Sequence, residues 1–543
     1  MSSNHPMNHL YFGDNLYVLR DHLTTESVDL IYLDPPFNSK RDYNLLFKTP
    51  KGHESEAQIT AFEDSWHWGE QAEREFDELV HAPNTAVSEM MQALRRFLGE
   101  NDMMAYLTMM ANRLLELHRV LKPTGSLYLH CDPTASHYLK VVLDSVFGKE
   151  RFLNEIIWQR TTAGKPSHRN LPKNTDTILW YSKTDAYFFE PLTQPLTGED
   201  KATFNIDDSD GRGLYNTQPI INPGDRPNLK YIYTDTKGRQ WTPPKTGWRF
   251  NEERMHRLEA DSRLVFGKTT IREKYYLSER ELKGKQMPNI WLDIPIVTGG
   301  ERLPYPTQKP LALLERIIQS SSNPGGVVLD PFCGCGTAVH AAQKNDRQWI
   351  GIDITHLAIS LIEKRLKDAF GAKCKFEVHG TPKDLDAARD LATRDKYQFQ
   401  WWAVSLVDAQ PFQGKKKGAD GGIDGLKFFH DVDKAGARKI VVSVKGGGLK
   451  ADDVRALNHV RERESAEIAL LISLEAPTKG MIADAASAGF YTSAAGKKFP
   501  RVQLLTIEGL LSGKQRAEHP DHQPDLNFKK AKAEKHGEQK ELL

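Results

Sequence analysis

The chain reads as an α/β protein built on a parallel sheet. Three observations predict this. The apolar run Val28 to Leu33 leads straight into Asp34-Pro35-Pro36-Phe37. A second run, Val327-Val328-Leu329, leads into Asp330-Pro331-Phe332-Cys333-Gly334-Cys335-Gly336-Thr337. A third, Trp349-Ile350-Gly351-Ile352-Asp353, again ends on a carboxylate. Short apolar strands that run into loops bearing an acidic residue mark a parallel sheet whose ligands sit at the carboxyl ends of its strands.

The elements follow in turn. Gly334 and Gly336 let the backbone come close to a ligand, and Thr337 to Gln343 begins a helix whose N-terminus faces it. Asp353, at the end of the next strand, is placed to hold ribose hydroxyls. The helix from Thr355 to Phe370 carries Leu357, Leu361, Leu366 and Phe370 on or near one face. The helix from Asn101 to Leu121 carries Met103, Tyr106, Leu107, Met110, Leu114 and Leu117 at helical spacing. That stripe reads as core packing, and Pro123 and Gly125 end the helix. Cys333 and Cys335 have no second Cys/His pair at zinc spacing, so they read as small loop residues.

Asp34-Pro35-Pro36-Phe37 reads either as a proline turn after a strand or as a segment suited to one chemistry. An exocyclic adenine amine is a poor nucleophile, because its lone pair is delocalised into the ring. Accepting hydrogen bonds from both of its N–H groups frees that lone pair. A carboxylate and a backbone carbonyl held by two prolines can do this. Asp34 and the Pro35 carbonyl are the expected acceptors, and Phe37 the platform on which an extruded base stacks.

With the proline segment first and the glycine loop second, the chain resembles the β-class of DNA amino-methyltransferases. Tyr11-Phe12-Gly13-Asp14-Asn15 resembles the N-terminal motif of that class. Pro306-Thr307-Gln308-Lys309-Pro310 resembles the segment before its cofactor strand, and Asn154 to Trp158 and Thr177 to Lys183 the strands that close its sheet. The resemblance implies an S-adenosylmethionine (SAM) dependent, Rossmann-like methyltransferase domain with circularly permuted motif order. It implies SAM contacts from Lys309, Asp330, Phe332, Gly334, Gly336, Thr337 and Asp353. Asp14 is expected in the cofactor set and near the target base. Asp in first place of the tetrapeptide favours adenine N6; cytosine N4 enzymes of the class more often carry Ser there. Double-stranded DNA is the implied partner, and homodimers are common in the class.

Composition sets further bounds. Two to four domains are expected for 543 residues. No run approaches the ~18 apolar residues of a membrane span, so no membrane association is expected. Met1 to His9 lacks the apolar core of a secretory signal. Four cysteines give no disulfide framework, which fits a reducing cytoplasm. A net charge of +1 means any DNA footprint must be local. The span Arg151 to Pro310 has a modest positive excess, and basic and aromatic residues interleave at Arg272, Lys274, Tyr275 and Tyr276. Gly267-Lys268-Thr269 lacks the upstream glycine of a phosphate loop, so no nucleotide motor is expected.

The expected order is a methyltransferase N-terminal half over 1–185, an inserted target-recognition domain over 186–303 and a C-terminal half over 304–380. A linker over 381–396, a second α/β domain over 397–515 and a disordered charged tail over 516–543 complete it. That second domain resembles the Mrr-type restriction endonuclease fold, which pairs an Asp with an acidic-x-Lys strand around Mg²⁺. On this resemblance Asp424 is the metal ligand, Asp420 a weaker candidate, Lys445 the catalytic lysine, and Gln400 an upstream contact. Ser443 stands where the second acidic ligand belongs. A hydroxyl is a poorer, neutral ligand for Mg²⁺. Two readings therefore stay open: a methyltransferase with a nuclease module in a restriction–modification system, or a solitary methyltransferase with an inactive DNA-binding module. Asp452 to Glu464 and Gly480 to Tyr491 read as helices that finish this domain.

Overall fold

The computed structural model describes residues 8–36, 42–48, 54–63, 66–162, 171–303, 305, 307–412, 422–431, 437–520 and 533–534. Phe37, Pro306 and Asp420 lie outside the described residues.

The chain forms two compact units, one of which is Pro191–Pro288. The larger unit holds a nine-stranded sheet. Its strands, in chain order, are β1 (Asn8–Phe12), β2 (Val28–Leu33), β3 (Leu121–Cys131), β4 (Phe152–Gln159), β5 (Thr175–Ser182), β6 (Ile290–Trp291), β7 (Val327–Asp330), β8 (Gln348–Asp353) and β9 (Phe376–His379). Across the sheet the order is β6-β4-β5-β3-β2-β7-β8-β1-β9. From β3 to β9 every neighbouring pair is parallel, whereas β5 runs antiparallel to both β3 and β4. The parallel strands are apolar because both faces are covered.

The topology explains how two segments 300 residues apart in sequence meet. β2 and β7 are neighbours, with Leu30 opposite Val328 and Ile31 opposite Leu329. Their carboxyl ends therefore emerge side by side. The expected helix over 101–121 spans Asp102–Val120 (α1), with Asn101 as its cap accepting from the Met104 amide at 3.0 Å. It ends before Pro123 and Gly125, because Leu121 already opens β3 and pairs with Val28. Two more helices follow the glycine-rich region, α2 (Thr337–Lys344) and α3 (His356–Phe370).

The same unit contains a second sheet, β10 (Gln410–Pro411), β11 (Gly425–Phe429), β12 (Arg438–Lys445), β13 (Ile468–Ser473) and β14 (Val502–Thr506), paired in that order. β12, β13 and β14 are parallel; β11 is antiparallel to β12. The stretch read as a linker contains a helix, α4 (Leu385–Arg394). Its Ala388, Leu391 and Ala392 are buried with Phe399 and Trp402 of the next helix, α5 (Lys396–Ser405). Polar composition hid this three-residue apolar face. The helix expected from Gly480 to Tyr491 instead spans Lys479–Ser487. Gly489 takes φ +74°, and Phe490–Thr492 then pairs with Lys498–Pro500. The tail is not structureless at Glu534. Its amide bonds the Ala369 carbonyl, and its carboxylate meets His340 at 3.1 Å.

The smaller unit, taken by itself, is a mixed module of short strands. Its central sheet pairs Leu264–Phe266, Ile271–Tyr276 and Tyr215–Pro219. Trp241, Trp248, Tyr233, Met255 and Ile271 fill its core. Arginines stack on its aromatics, Arg239 at 3.9 Å from the Trp241 ring centre and Arg254 at 4.2 Å from Phe250.

Candidate active site

A cavity of about 1110 Å³ opens at the carboxyl ends of β1, β2, β7 and β8. It is lined by Gly13 and Asp14 after β1, Asp34 to Pro36 after β2, Asp330 to Cys335 along and after β7, and Asp353 to Thr355 after β8. Its size is slightly above the range of small-molecule sites, roughly 300–1,000 Å³. Of the residues expected here, Asp14, Asp34, Pro35, Pro36, Lys309, Asp330, Phe332, Gly334, Thr337 and Asp353 all line it. Gly336, in the same loop, is not among the lining residues.

Asp34 is asymmetric. Lys309 Nζ donates to its Oδ2. Its Oδ1 is buried and has no hydrogen-bond partner among the described residues. A buried acceptor left unpaired costs free energy, about 1–3 kcal/mol, unless a ligand meets it. Gln308 holds the lysine segment in place: its Oε1 accepts from the Leu303 amide at 2.7 Å and its Nε2 donates to the Glu301 carbonyl at 2.9 Å.

The glycine loop is set by left-handed backbone and by tight packing. Gly334 has φ +49° and Gly336 φ +73°. A Cβ on Gly334 would lie 3.1 Å from the Tyr305 ring, and one on Gly336 2.7 Å from Ile362 Cγ1. Asp353 clasps the loop from β8: its Oδ2 accepts from the Gly334 amide at 2.9 Å and its Oδ1 from the Thr355 amide at 2.9 Å. Burial raises the Asp353 carboxyl to about 6, against the pull of the Thr355 and Gly334 bonds. Burial also pushes Asp330 well above the usual carboxylate range, with Asp34 and Asp353 adding to the push.

Sequence reasoning missed two buried arginines that brace these loops. Arg113 of α1 donates from Nη2 to Asp14 at 2.8 Å and from Nε to Asn15 Oδ1 at 2.6 Å. Glu75 Oε2 lies 3.5 Å from its Nη1. Asn15 in turn donates to the Pro331 carbonyl at 2.8 Å. Arg365 of α3 donates to the Cys335 carbonyl at 3.0 Å and to Thr337 Oγ1 at 3.1 Å. Each arginine interrupts the apolar face of its helix. A charge at such a position is rarely buried unless paired, and that was the available signal.

Two further features were not read from the chain. Tyr32 lines the cavity and its hydroxyl meets His130 Nδ1 at 2.9 Å, while His130 Nε2 meets Asp176 Oδ2 at 3.1 Å. These three buried side chains come from the adjacent strands β2, β3 and β5. The cavity wall also includes Tyr397, Gln398 and Trp401 of α5. Trp401 packs against the apolar cluster of Leu303, Tyr305, Cys335, Leu357 and Leu361, and Gln398 Oε1 accepts from the His356 amide at 3.1 Å.

The second sheet gathers another part of the expected set. Asp424 accepts from Gln400 Nε2 at 3.0 Å, from Ser443 Oγ at 3.2 Å and from the Val444 amide at 2.6 Å. Lys445 is not turned to Asp424 in any of these bonds; its Nζ pairs with Asp453 Oδ1 at 2.9 Å. Among the described residues the cluster offers Mg²⁺ one carboxylate, hydrogen-bonded on both oxygens, and one neutral hydroxyl, a poorer ligand for a hard cation. The expected ligand pair Asp424 and Ser443 is thus brought together, but as a hydrogen-bonded cluster.

The fold and cavity define a Rossmann-like α/β protein with an acidic, glycine-lined ligand site. The chain belongs to the DNA methylase family N6_N4_Mtase, which it matches over residues 28–364. It is 32% identical over 274 residues to the Type II methyltransferase M.EcaI of Enterobacter cloacae, covering 48% of this chain and 57% of that protein. It is 27% identical over 344 residues to the Type III restriction-modification enzyme StyLTI Mod subunit of Salmonella typhimurium, covering 61% and 48%. The chain spans about half the length of these curated relatives. The crystal structure of TTHA0409 from Thermus thermophilus with S-adenosyl-L-methionine aligns at TM-score 0.33 and 18% identity, over 69% of this chain and 99% of that one. Among the described residues no helix is long and apolar enough to cross a membrane.

Proposed function

We propose that the chain is a site-specific DNA methyltransferase that transfers a methyl group from SAM to adenine N6 in double-stranded DNA. The observation that carries this reading is the buried, unpartnered Oδ1 of Asp34 in the cavity wall, beside a lysine that holds Oδ2. Family membership and the printed descriptions of the relatives, methyltransferases and a restriction–modification Mod subunit, support it.

The glycine loop and Asp353 are suited to the adenosyl part of the cofactor. Bound SAM supplies a methyl group on a sulfonium, and the amine nitrogen forms its N–C bond as the C–S bond breaks and the electron pair returns to sulfur. Asp34 Oδ1 and the Pro35 carbonyl accept the two amine N–H bonds and so release the nitrogen lone pair. Asp34 then receives the proton that the methylated nitrogen sheds, which passes to water. Tyr32, held by His130 and Asp176, keeps β2 in register so that Asp34 is preset for this geometry. The target base must leave the duplex to reach these groups. We assign reading of the target sequence to the unit Pro191–Pro288, whose stacked arginines and aromatics suit phosphate and base contacts.

The test is transfer of labelled methyl from SAM to unmethylated bacterial DNA with nucleoside analysis. Labelled N6-methyladenine is expected. N4-methylcytosine would overturn the base assignment, and no transfer to any DNA would overturn the reading.

Affinity for SAM should depend on Asp353. Its folded carboxyl titrates near 6 rather than at its ordinary 3.8. Ionising it therefore opposes folding: its contribution to stability is fully present below about pH 4 and is lost as pH rises through about 6. Ribose hydroxyls need the ionised form as acceptor. SAM affinity is expected to fall, by about tenfold per pH unit at the limit, as pH drops below about 6. In Asp353→Asn the profile should be flat, which calorimetric titration across pH would read.

For the second sheet, the bonding of Asp424 favours a nuclease-like fold that does not cut DNA, the module serving instead as a binding and bracing element. Supercoiled plasmid incubated with Mg²⁺ is expected to stay intact with both wild type and Asp424→Ala. Nicking by the wild type alone would restore the endonuclease reading.

A further inference from the structure

At one edge of the nine-stranded sheet β1 and β9 lie side by side, and the residues that follow them, Gly13 and Gly380, reach the cavity wall. The two strands pair in parallel, with His9 opposite Glu377 and Tyr11 opposite His379. Directly opposed residues share a face, so His9, Glu377 and His379 point the same way. His9 Nδ1 lies 3.0 Å from His379 Nε2, and His379 Nε2 lies 3.6 Å from Glu377 Oε2. The ligand atoms of all three residues fall within 4.8 Å of one another.

These spacings are those of a first coordination shell. With zinc–ligand bonds of about 2.0–2.1 Å and tetrahedral angles, ligand atoms sit about 3.3 Å apart. Two observed separations bracket that value. The donor set also fits: two imidazoles and one carboxylate suit a late first-row divalent cation, and leave a fourth position open. The rings are not free to turn. Tyr11 stacks on His379 with centroids 4.5 Å apart and on His22 at 5.3 Å on its other side. Glu377 is half-exposed, which leaves a path from solvent.

We propose that His9, Glu377 and His379 form a Zn²⁺-type site that staples the first strand of the sheet to its last, across 370 residues of chain. None of the three residues lines the cavity, and the site's effect is on how firmly β1 is held at the sheet edge.

The test is calorimetric titration of ZnCl₂ into the full-length chain stripped with EDTA. The wild type is expected to bind one equivalent that His379→Ala and His9→Ala lack, and to melt at higher temperature with zinc than in EDTA. Glu377→Gln, at an exposed position, should weaken that equivalent by at least about tenfold while melting like the wild type in EDTA. Equal zinc stoichiometry and affinity in the wild type and all three variants would overturn the site, leaving a proton shared between two histidines. MgCl₂ in place of zinc should bind no extra equivalent, since hard cations prefer oxygen ligands; extra Mg²⁺ binding lost in Glu377→Gln would overturn the assignment to imidazole chemistry.

Discussion

Asp34→Ala is expected to lower kcat for methyl transfer by about 10²–10³-fold, the effect of deleting one preorganised polar group from a transition-state site. SAM affinity should fall less than kcat, because the glycine loop and Asp353 come from β7 and β8 while only Lys309 loses its partner. The substitution removes both the unpartnered Oδ1 and the anion that holds Lys309. Asp34→Asn separates these effects. It keeps one amide oxygen as acceptor, replaces the other oxygen by an NH₂ donor and loses the charge, so its kcat should fall between those of the alanine variant and the wild type. Single-turnover transfer to a duplex, with SAM binding measured alongside, reads both quantities. Equal kcat in the wild type and the alanine variant would remove Asp34 from the chemistry.

Arg113→Met should be the most damaging change to stability in the site. Its guanidinium is buried, with Asp14, Asn15 and Glu75 around it. Removing one partner of a buried pair leaves carboxylates without a counter-charge and costs about 3–5 kcal/mol. Asp14 is partly exposed, so the lower end, about 3 kcal/mol, is expected from urea unfolding. Transfer should fall too, because Asn15 ties this network to the Pro331 carbonyl of the glycine loop. A variant that unfolds with the wild type would mean that solvent reaches those carboxylates and replaces the arginine.

The strands and their loops could be read from the chain because each is a local pattern. Val28 to Leu33 and Val327 to Leu329 are short apolar runs with a carboxylate at the end, and any parallel sheet must place such ends on one side. That Leu30 would face Val328 could not be read, since strand order depends on crossovers and not on either segment. Asp34, Lys309 and Asp353 were visible by residue type and position. Arg113 was hidden inside a stripe of methionines and leucines, its partner Asp14 lying 99 residues away. The Asp176–His130–Tyr32 chain joins three strands and has no local signature at all. The helix Leu385–Arg394 was masked by its many charges, although Ala388, Leu391 and Ala392 already carry a helical spacing.

The ten residues of α5 have two neighbours with different trades. Gln400 donates to Asp424 in the second sheet, while one residue before and after it Phe399 is buried in that sheet's core and Trp401 walls the cavity beside the glycine loop. The two halves of this unit are consequently not interchangeable cassettes. Removing α5 together with the second sheet would take Trp401 out of the cavity wall. The two halves are thereby tied together by one helix, whatever the chemistry at Asp424.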